Sequence, residues 1–426
     1  MARTLYKSPV VLLVKSLYGH PEAGAHWEQH LREIVQNLGG KELVDHPSSF
    51  YFSASRLLLT VYVDDLVLSG PASAHEALWK QLVKHVELED INDMDRFLGR
   101  HHRYFTKDGL RCVSYDMTDY AVQSCDLYRS LCPNKPLKPA QTPFCPTGSL
   151  VDTDDAEVGQ LAPVACKILM KCLWLARLSR PDLLKPIGDL ASTVTRWSRN
   201  CDKQLHRMLC YLSATTSYTF VGAVGDGPEA LSLRIFADAD FASDRLTARS
   251  TTGGLIAVVG PSTFYPVHWV SKRQTSTSRS STEAEVVSMA NLVFGEGLPL
   301  LNMLETILAK ECALELMEDN EATIKIIKKG YSSRMRALQR THRVNISALK
   351  EVIDWPRTAL CYIRTNFQAA DIFTKCLAPQ HWSSALQMLS IHPNAEDFNR
   401  AALQEMLLNF RKEHSRCDQD DHIPQI

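Results

Sequence analysis

Four acidic residues in the C-terminal half stand where carboxylates could be gathered around a cation. Asp238 lies near the end of an alternating apolar run, Leu231–Phe241. Glu285 falls in the first turn of a long helical stretch, Ser281–Ala309. Asp319 closes a short strand-like segment, Leu314–Asn320, and Asp371 opens a helical stretch, Ala370–Leu389. Carboxylates drawn together repel and raise each other's pKa unless a cation sits among them. An oxygen-only donor set suits a hard ion, Mg²⁺ or Mn²⁺. Two such ions about 3.5–4 Å apart would suit phosphodiester hydrolysis, one activating water and the other stabilising the leaving oxygen. Each acid also has a purely local reading. Thr282-x-x-Glu285 fits a capping box, as does Ser280 with Glu283. Asp371 would complement a helix dipole, and Asp319-Asn320 could be turn chemistry. Asp240 competes with Asp238. Only the joint arrangement argues for catalysis.

A second acidic pair, Asp64-Asp65, sits in Tyr62-Val63-Asp64-Asp65, between the apolar runs of Leu57–Ser69. Two adjacent carboxylates on a hairpin turn can share a metal that positions a nucleoside triphosphate; the alternative is a polar turn. Local positive charge hints at the substrate. From Ala322 to Lys350 there are eight basic residues (Lys325, Lys328, Lys329, Arg334, Arg336, Arg340, Arg343, Lys350) and no acid. Trp269, Lys272, Arg273 and Arg279 form a smaller basic stretch. Backbone phosphates would bind such a patch in a salt-sensitive way; the alternative is a solvated helix face.

The elements that must position these residues fall into zones. Leu57–Ser69 predicts a strand hairpin, Ala72–Glu89 a helix, Phe97–Tyr115 two strands turning at Lys107-Asp108-Gly109, and Asp116–Ser130 a helix. A linker over 132–158 carries Pro133, Pro136, Pro139, Pro143 and Pro146. Helices are expected over Gly159–Ser179, Asp182–Trp197 and Cys201–Thr216, then a turn-rich break at Gly222–Pro228. Beyond it the order reads β-β-β-α-β-α-α-β-α, an α/β layer on a mixed sheet. The boundaries are placed at 1–131, 132–158, 159–228, 229–390 and 391–426, the last a C-terminal helix and a tail frayed at Asp418–Asp421. The fold class is a multidomain α/β and α+β one.

Composition narrows the function classes. With 426 residues, 45% hydrophobic and 22% charged, the chain is ordinary globular material of about two to three domains, neither collagen nor coiled coil. The net charge of −1 provides no global field toward nucleic acid, so binding must rest on local patches. Twelve scattered cysteines without a C-x-x-C read as reduced thiols of an intracellular protein, cytoplasmic or nuclear and not secreted. Apolar runs such as Val10–Val14 are far below a membrane span, and Lys15 interrupts the only signal-peptide-like stretch.

A family resemblance rests on boxes in order over about residues 16–390. Leu17-Tyr18-Gly19 with Trp27, the Tyr62–Asp65 YVDD box, Phe97-Leu98-Gly99, Thr142-Pro143, Arg180-Pro181-Asp182 and Cys210-Tyr211-Leu212 resemble segments of copia-class retrotransposon Pol polyproteins. So do Phe236-Ala-Asp238-Ala-Asp240-Phe241-Ala242, Ser250–Gly254, Trp269–Gln274, Ser280–Glu285, Glu318-Asp319-Asn320 and Ala370–Lys375. The resemblance implies a partial reverse-transcriptase palm (1–131), a helical thumb or connection region (159–228) and an RNase H-like domain (229–390). It places the family's RNase H acids on Asp238, Glu285, Asp319 and Asp371, with two Mg²⁺ (or Mn²⁺) ions and an RNA–DNA hybrid as substrate. Other Pol or Gag products are implied as further partners. A hybrid is read through its backbone, its groove shape and the 2′-OH.

The departures carry expectations of their own. The family's polymerase uses a third aspartate upstream of the LYG segment, a box outside this sequence. Asp64 and Asp65 alone leave that metal site incomplete, so no independent polymerase activity is expected. His20-Pro21-Glu22 replaces the usual Leu-Lys-Gln, and Arg343 and Asn345 replace a His and an Asp. The second reading is a catalytically inactive remnant that binds nucleic acid. A third, an integrase-type enzyme on similar architecture, is disfavoured by the SSTEAE and ADIFTK boxes.

Overall fold

The computed structural model describes residues 16–17, 19–244 and 246–420, with side chains to 410. The Val10–Val14 stretch, Tyr18 and Asp421 lie outside the described residues. The chain forms two compact units, Met1–Met94 with Asn302–Ala309, and Asp95–Leu301 with Lys310–Ile426.

In the first unit, α1 (Ala23–Asn37) is followed by β1 (Lys41–Leu43), β2 (His46–Phe52), β3 (Leu57–Tyr62), β4 (Asp65–Ser69) and α2 (Ala72–Leu82). The strands form a four-stranded antiparallel sheet in chain order. Leu31, Ile34 and Val35 of α1 pack with Phe50, Phe52, Leu57, Leu59, Leu78 and Leu82. Tyr62 pairs with Asp65, so the expected hairpin turns on Val63 and Asp64, with Val63 at φ 55°. Positive φ matches the turn to the twist of the strands. The helix expected to Glu89 ends at Leu82. Val86 still joins the core, from a turn.

The second unit begins with β5 (Arg96–Phe97), β6 (Arg100–Lys107) and β7 (Leu110–Asp116). Asp108 (φ 51°) and Gly109 (φ 79°) turn β6 into β7, as the sequence predicts. Helices α3 (Thr118–Leu131), α4 (Ala165–Leu178), α5 (Leu184–Ala191) and α6 (Arg199–Ala214) follow. The interval between α3 and α4 holds a short 3-10 turn, Asp152–Asp155, and a single antiparallel bridge from Val158 to Ser198. Its end is pinned by Asp202, which accepts hydrogen bonds from the backbone N–H of Gln160 (2.6 Å) and Leu161 (3.1 Å).

The expected break at Gly222–Pro228 is in part a strand, β8 (Thr219–Val224). A Cβ on Gly222 would lie 2.2 Å from the Tyr265 ring, so this glycine serves close packing rather than a turn. Then come β9 (Ser232–Asp240), β10 (Thr251–Gly260), β11 (Thr263–Arg273), α7 (Ser281–Leu292), α8 (Leu298–Leu308, of which the part from Asn302 on is counted with the first unit), β12 (Ala313–Glu318), α9 (Glu321–Lys329), α10 (Leu338–Thr341), α11 (Ile346–Ile353), β13 (Thr358–Tyr362), α12 (Pro379–Met388), β14 (Ile391–His392) and α13 (Arg400–Asp420). One mixed sheet runs β13-β12-β9-β10-β11-β8-β7-β6-β5, with β14 beside β8. β12 lies parallel to β9 and β13, and the other pairs are antiparallel. This is the mixed-sheet α/β and α+β architecture expected of the chain. The sheet continues through β8 and back to β5, so its strands come from both sides of residue 228.

Two long helices are broken. Between α7 and α8 a π-turn spans Val293–Gly297, where a Cβ on Gly297 would lie 2.4 Å from Ile235. The run Ser281–Leu308 has the length and composition of a membrane span, and half of its most apolar stretch is buried within the protein. A core helix has the same composition, and the α7 part is one: nine of its twelve residues are buried. The helix expected over Ala370–Leu389 is a 3-10 turn, Asp371–Phe373, followed by a fresh start at Pro379. Proline inside a continuous helix would clash with the carbonyl of residue 375, whereas at the first position it fits. The C-terminal helix α13 belongs to this core: Phe410 packs on Phe236 and Phe264.

Candidate metal centre

The centre is built at the ends of β9 and β12. Asp238 on β9 pairs in register with Gly253 on β10. A Cβ on Gly253 would lie 2.4 Å from the Thr374 methyl, so the glycine lets the segment after Asp371 approach the sheet. Thr374 Oγ1 donates to Asp238 Oδ2. Ser288 of α7 donates to the Asp238 carbonyl (2.8 Å), and Gln368 Nε2 to the Ala237 carbonyl (2.9 Å). Lys375 Nζ lies 3.1 Å from Asp238 Oδ1 and 2.6 Å from Asp371 Oδ1. Asp319 follows the last residue of β12 and accepts from Thr365 Oγ1 at 2.8 Å.

Two groups of oxygens result, each with ligand atoms within 4.8 Å of one another: Asp238, Asp319 and Asp371, and Glu285, Glu318 and Asp319. Strand alternation separates them. Asp238 shares a face of β9 with Phe236, whose parallel partner is Met317. Glu318, one residue on, therefore points to the opposite face, where Gly254 meets Leu292 of α7. Asp319 serves both groups.

The competing local roles are filled by neighbours. Ser280 caps α7 by accepting from the Glu283 N–H (3.1 Å), and Glu283 Oε2 accepts from the Arg279 N–H (3.2 Å). Glu285 is left out of the cap. Asn320 caps α9 through the N–H groups of Ala322 (3.0 Å) and Thr323 (3.2 Å), which leaves Asp319 free of that task. Asp371 is the first residue of its 3-10 turn, and its Oδ1 accepts from Lys375 Nζ. Asp240 belongs to neither group.

Burial raises the Asp371 carboxyl to about 7, with Asp238 adding to the rise and Lys375 opposing it. Burial and the surrounding acids also raise Glu285, Glu318 and Asp319. For Lys375 burial acts downward, but the Asp238 and Asp371 carboxylates outweigh it and hold the ammonium charged. The raised Asp371 carboxyl has a stability consequence. A carboxyl at about 7 in the folded state and about 4 unfolded binds more protons when folded. The contribution of this carboxyl to stability is therefore full below about pH 4 and is lost as pH rises through about 7. The metal-free protein is expected to show a falling Tm across this window, and millimolar Mg²⁺ to flatten the fall. Scanning fluorimetry checks it; a metal-free Tm that rises or stays level would contradict it.

The donor set fits a hard divalent ion: all the side chains in both groups are carboxylates, and Glu285 Oε2 and Glu318 Oε2 are buried without a hydrogen-bond partner. Asp64 and Asp65 are exposed at the β3–β4 tip of the first unit and belong to neither group.

Of the basic residues, Lys272, Arg279, Lys328, Lys329, Arg334, Arg336, Arg340 and Arg343 are exposed. Arg273 is half-buried and pairs with Asp244 at 2.6 Å, so its charge is engaged within the protein. Lys325 and Lys350 pair with Glu321 (3.3 Å) and Asp354 (2.6 Å). The two basic stretches meet: Ser276 donates to the Thr341 carbonyl (2.6 Å), and His342 Nε2 lies 3.3 Å from the Thr277 carbonyl. Asn345, in place of an aspartate, caps α11 by accepting from the Ser347 N–H (3.1 Å).

Sequence reasoning assigned no role to Glu318, Thr365, Thr374 or Lys375. Lys375 had a signal, its i+4 spacing from Asp371. Glu318 had none, because its face depends on the register of β12.

The fold and this acidic edge define a mixed-sheet α/β protein with divalent-cation-binding capacity. Residues 6–138 match the family model for reverse transcriptase (RNA-dependent DNA polymerase). The chain is 27% identical over 286 residues to the Retrovirus-related Pol polyprotein from transposon RE1 of Arabidopsis thaliana, covering 66% of this chain and 18% of that protein. It is 24% identical over 402 residues to the corresponding polyprotein of transposon TNT 1-94 of Nicotiana tabacum (91% and 28%). It is 24% identical over 389 residues to the Transposon Ty1-H Gag-Pol polyprotein of Saccharomyces cerevisiae (86% and 20%). The chain is thus related at low identity to retrotransposon Pol polyproteins of plants and yeast and spans less than a third of their length. Among solved structures it is similar to a foamy viral protease-reverse transcriptase in complex with double-stranded DNA, at TM-score 0.40 and 14% identity, covering 80% of this chain and 49% of that one. A foamy viral protease-reverse transcriptase in complex with an RNA/DNA hybrid gives TM-score 0.38 and 12% identity, covering 82% and 39%.

Proposed function

We propose that this chain is a retrotransposon-derived, copia-like Pol fragment that hydrolyses the RNA strand of an RNA–DNA hybrid. The observation that carries the reading is the pair of oxygen groups sharing Asp319. Asp238, Glu285, Asp319 and Asp371 would hold two Mg²⁺ or Mn²⁺ ions. Such ions, when bound, supply an activated water and charge stabilisation at the scissile phosphate. Thr365 orients Asp319, Thr374 orients Asp238, and the Ser288 and Gln368 hydrogen bonds hold the β9 backbone in place. Lys375 neutralises Asp238 and Asp371 before cations bind. Lys272, Arg279, Lys328, Lys329, Arg334, Arg336, Arg340 and Arg343 offer exposed charge to the hybrid backbone; Arg273, engaged by Asp244, contributes less.

The same reading assigns 229–390 to an RNase H-like domain, with β5–β8 extending its sheet. It assigns 159–228 to a thumb or connection region and 1–131 to palm sequence. Asp64 and Asp65 are two ligands of a nucleotide site that needs a further carboxylate. None of the eleven cysteines with described side chains forms a disulfide, as suits a reducing intracellular setting.

The test is cleavage of a labelled RNA–DNA hybrid in Mg²⁺ by wild type and Asp319→Asn. Cleavage by the wild type alone is the expected result; equal cleavage by both proteins would overturn the site. One observation favours a second reading, an inactive nucleic-acid-binding remnant: the Lys375 ammonium already pairs with two of the four acids. Salt-sensitive hybrid binding without cleavage would establish it.

A further inference from the structure

Glu318 is the deepest acid of the centre. It is 0% exposed, and it ends β12 on the face that packs against α7. Its Oε1 accepts the Asn320 N–H at 3.1 Å, whereas its Oε2 has no hydrogen-bond partner. Glu285, 6% exposed, likewise has an unpartnered Oε2. Ligand oxygens of Glu285, Glu318 and Asp319 converge within 4.8 Å. The contrast with the other group matters. There the Lys375 ammonium sits within ion-pair distance of two carboxylates, and Thr374 donates to a third oxygen. On the α7 face the two unpartnered oxygens receive no such donor. A buried carboxylate oxygen without a donor is costly to keep, and a coordinated cation removes that cost.

We infer that Glu285, Glu318 and Asp319 form a divalent-cation site on the α7 face, with Glu318 a fifth carboxylate ligand beyond the four acids of the cleavage reading. The inference deepens the RNase H-type reading and rests on it for the location of the centre. A third carboxylate around one ion raises the charge of the site and with it the affinity for Mn²⁺ or Mg²⁺. It also places that ion against the core of the domain, so loading stabilises the fold.

The test titrates Mn²⁺ alone into the full chain by calorimetry and by electron paramagnetic resonance of free Mn²⁺, with scanning fluorimetry in parallel. The proteins are wild type, Glu318→Gln and Glu318→Ala, each confirmed folded by circular dichroism. The expected result is a loss of one class of Mn²⁺ binding, or its weakening by roughly 10–100-fold, in both variants. Glu318→Gln, which keeps an acceptor for the Asn320 N–H, should melt near the wild-type temperature without metal, whereas Glu318→Ala loses that acceptor and opens a cavity; both should gain less from Mn²⁺. Wild-type Mn²⁺ affinity and stoichiometry in both variants would overturn the inference and leave the cleavage reading intact. Absence of hybrid cleavage by a wild type whose Mn²⁺ site still depends on Glu318 would overturn the reading and keep the cation site.

Discussion

Asp238→Asn is expected to lower single-turnover cleavage of an RNA–DNA hybrid by at least roughly 10³-fold, a loss of about 4 kcal/mol of transition-state stabilisation. Asp238 is the acid most fully tied into the centre. It is 1% exposed, its Oδ2 accepts from Thr374, and its Oδ1 faces Lys375 at 3.1 Å. Asparagine keeps the shape and removes the charge that would hold a cation. The fold should tolerate the change, since Lys375 retains Asp371 at 2.6 Å and one buried carboxylate disappears. Thermal melts without metal should therefore stay near the wild-type value. Cleavage within tenfold of wild type would remove Asp238 from the proposed machinery.

The largest effect on stability is expected at Arg180, which belongs to neither group of carboxylates. Arg180 is 1% exposed and pairs with Asp182 through Nε (2.9 Å) and Nη2 (2.7 Å). It also donates to the Thr215 carbonyl (2.6 Å) and hydroxyl (2.9 Å). Tyr211 donates to Asp182 (2.7 Å) and accepts from Trp382 Nε1 (3.2 Å). The network thus joins the Arg180-Pro181-Asp182 turn to α6 and α12. Arg180→Ala strands the buried Asp182 charge and should cost about 3–5 kcal/mol. Arg180→Lys should recover little, because an ammonium cannot span Asp182 and Thr215 as the planar fork does. Urea unfolding followed by near-ultraviolet circular dichroism measures both. A loss below about 1 kcal/mol for Arg180→Ala would mean that the pair is solvated in solution.

Some of this organisation is legible residue by residue. The β3–β4 hairpin follows from apolar, β-branched runs on either side of Asp64-Asp65, although Val63 takes up the positive φ, and the Asp108-Gly109 turn follows from residues that accept positive φ. The segments bearing Asp238, Glu285 and Asp319 are legible as strand, helix and strand from their apolar spacing. Gly222 misled for a definite reason. A glycine that admits a ring from another strand has the same letter as one that turns the chain, and only Tyr265 tells them apart. The helix through Ala370–Leu389 failed on Pro379, which reads equally as an interruption or as a first residue.

What the sequence determined by itself was the inventory: four acids on separate elements, a Lys/Arg run free of acids, two aspartates beside a hairpin tip, and boxes in a recognisable order. Local spacing suffices for that, because periodicity and turn preference act over a few residues. The tertiary structure decided the grouping. It gave the helix caps to Ser280 and Asn320, leaving Glu285 and Asp319 outside those caps. It set Lys375 between Asp238 and Asp371 and brought Glu318 to Glu285. Each of these depends on the register of β12 against β9, or on which residue wins a cap. Both are settled by long-range pairing, and a one-residue shift of β12 would have pointed Glu318 to the opposite face.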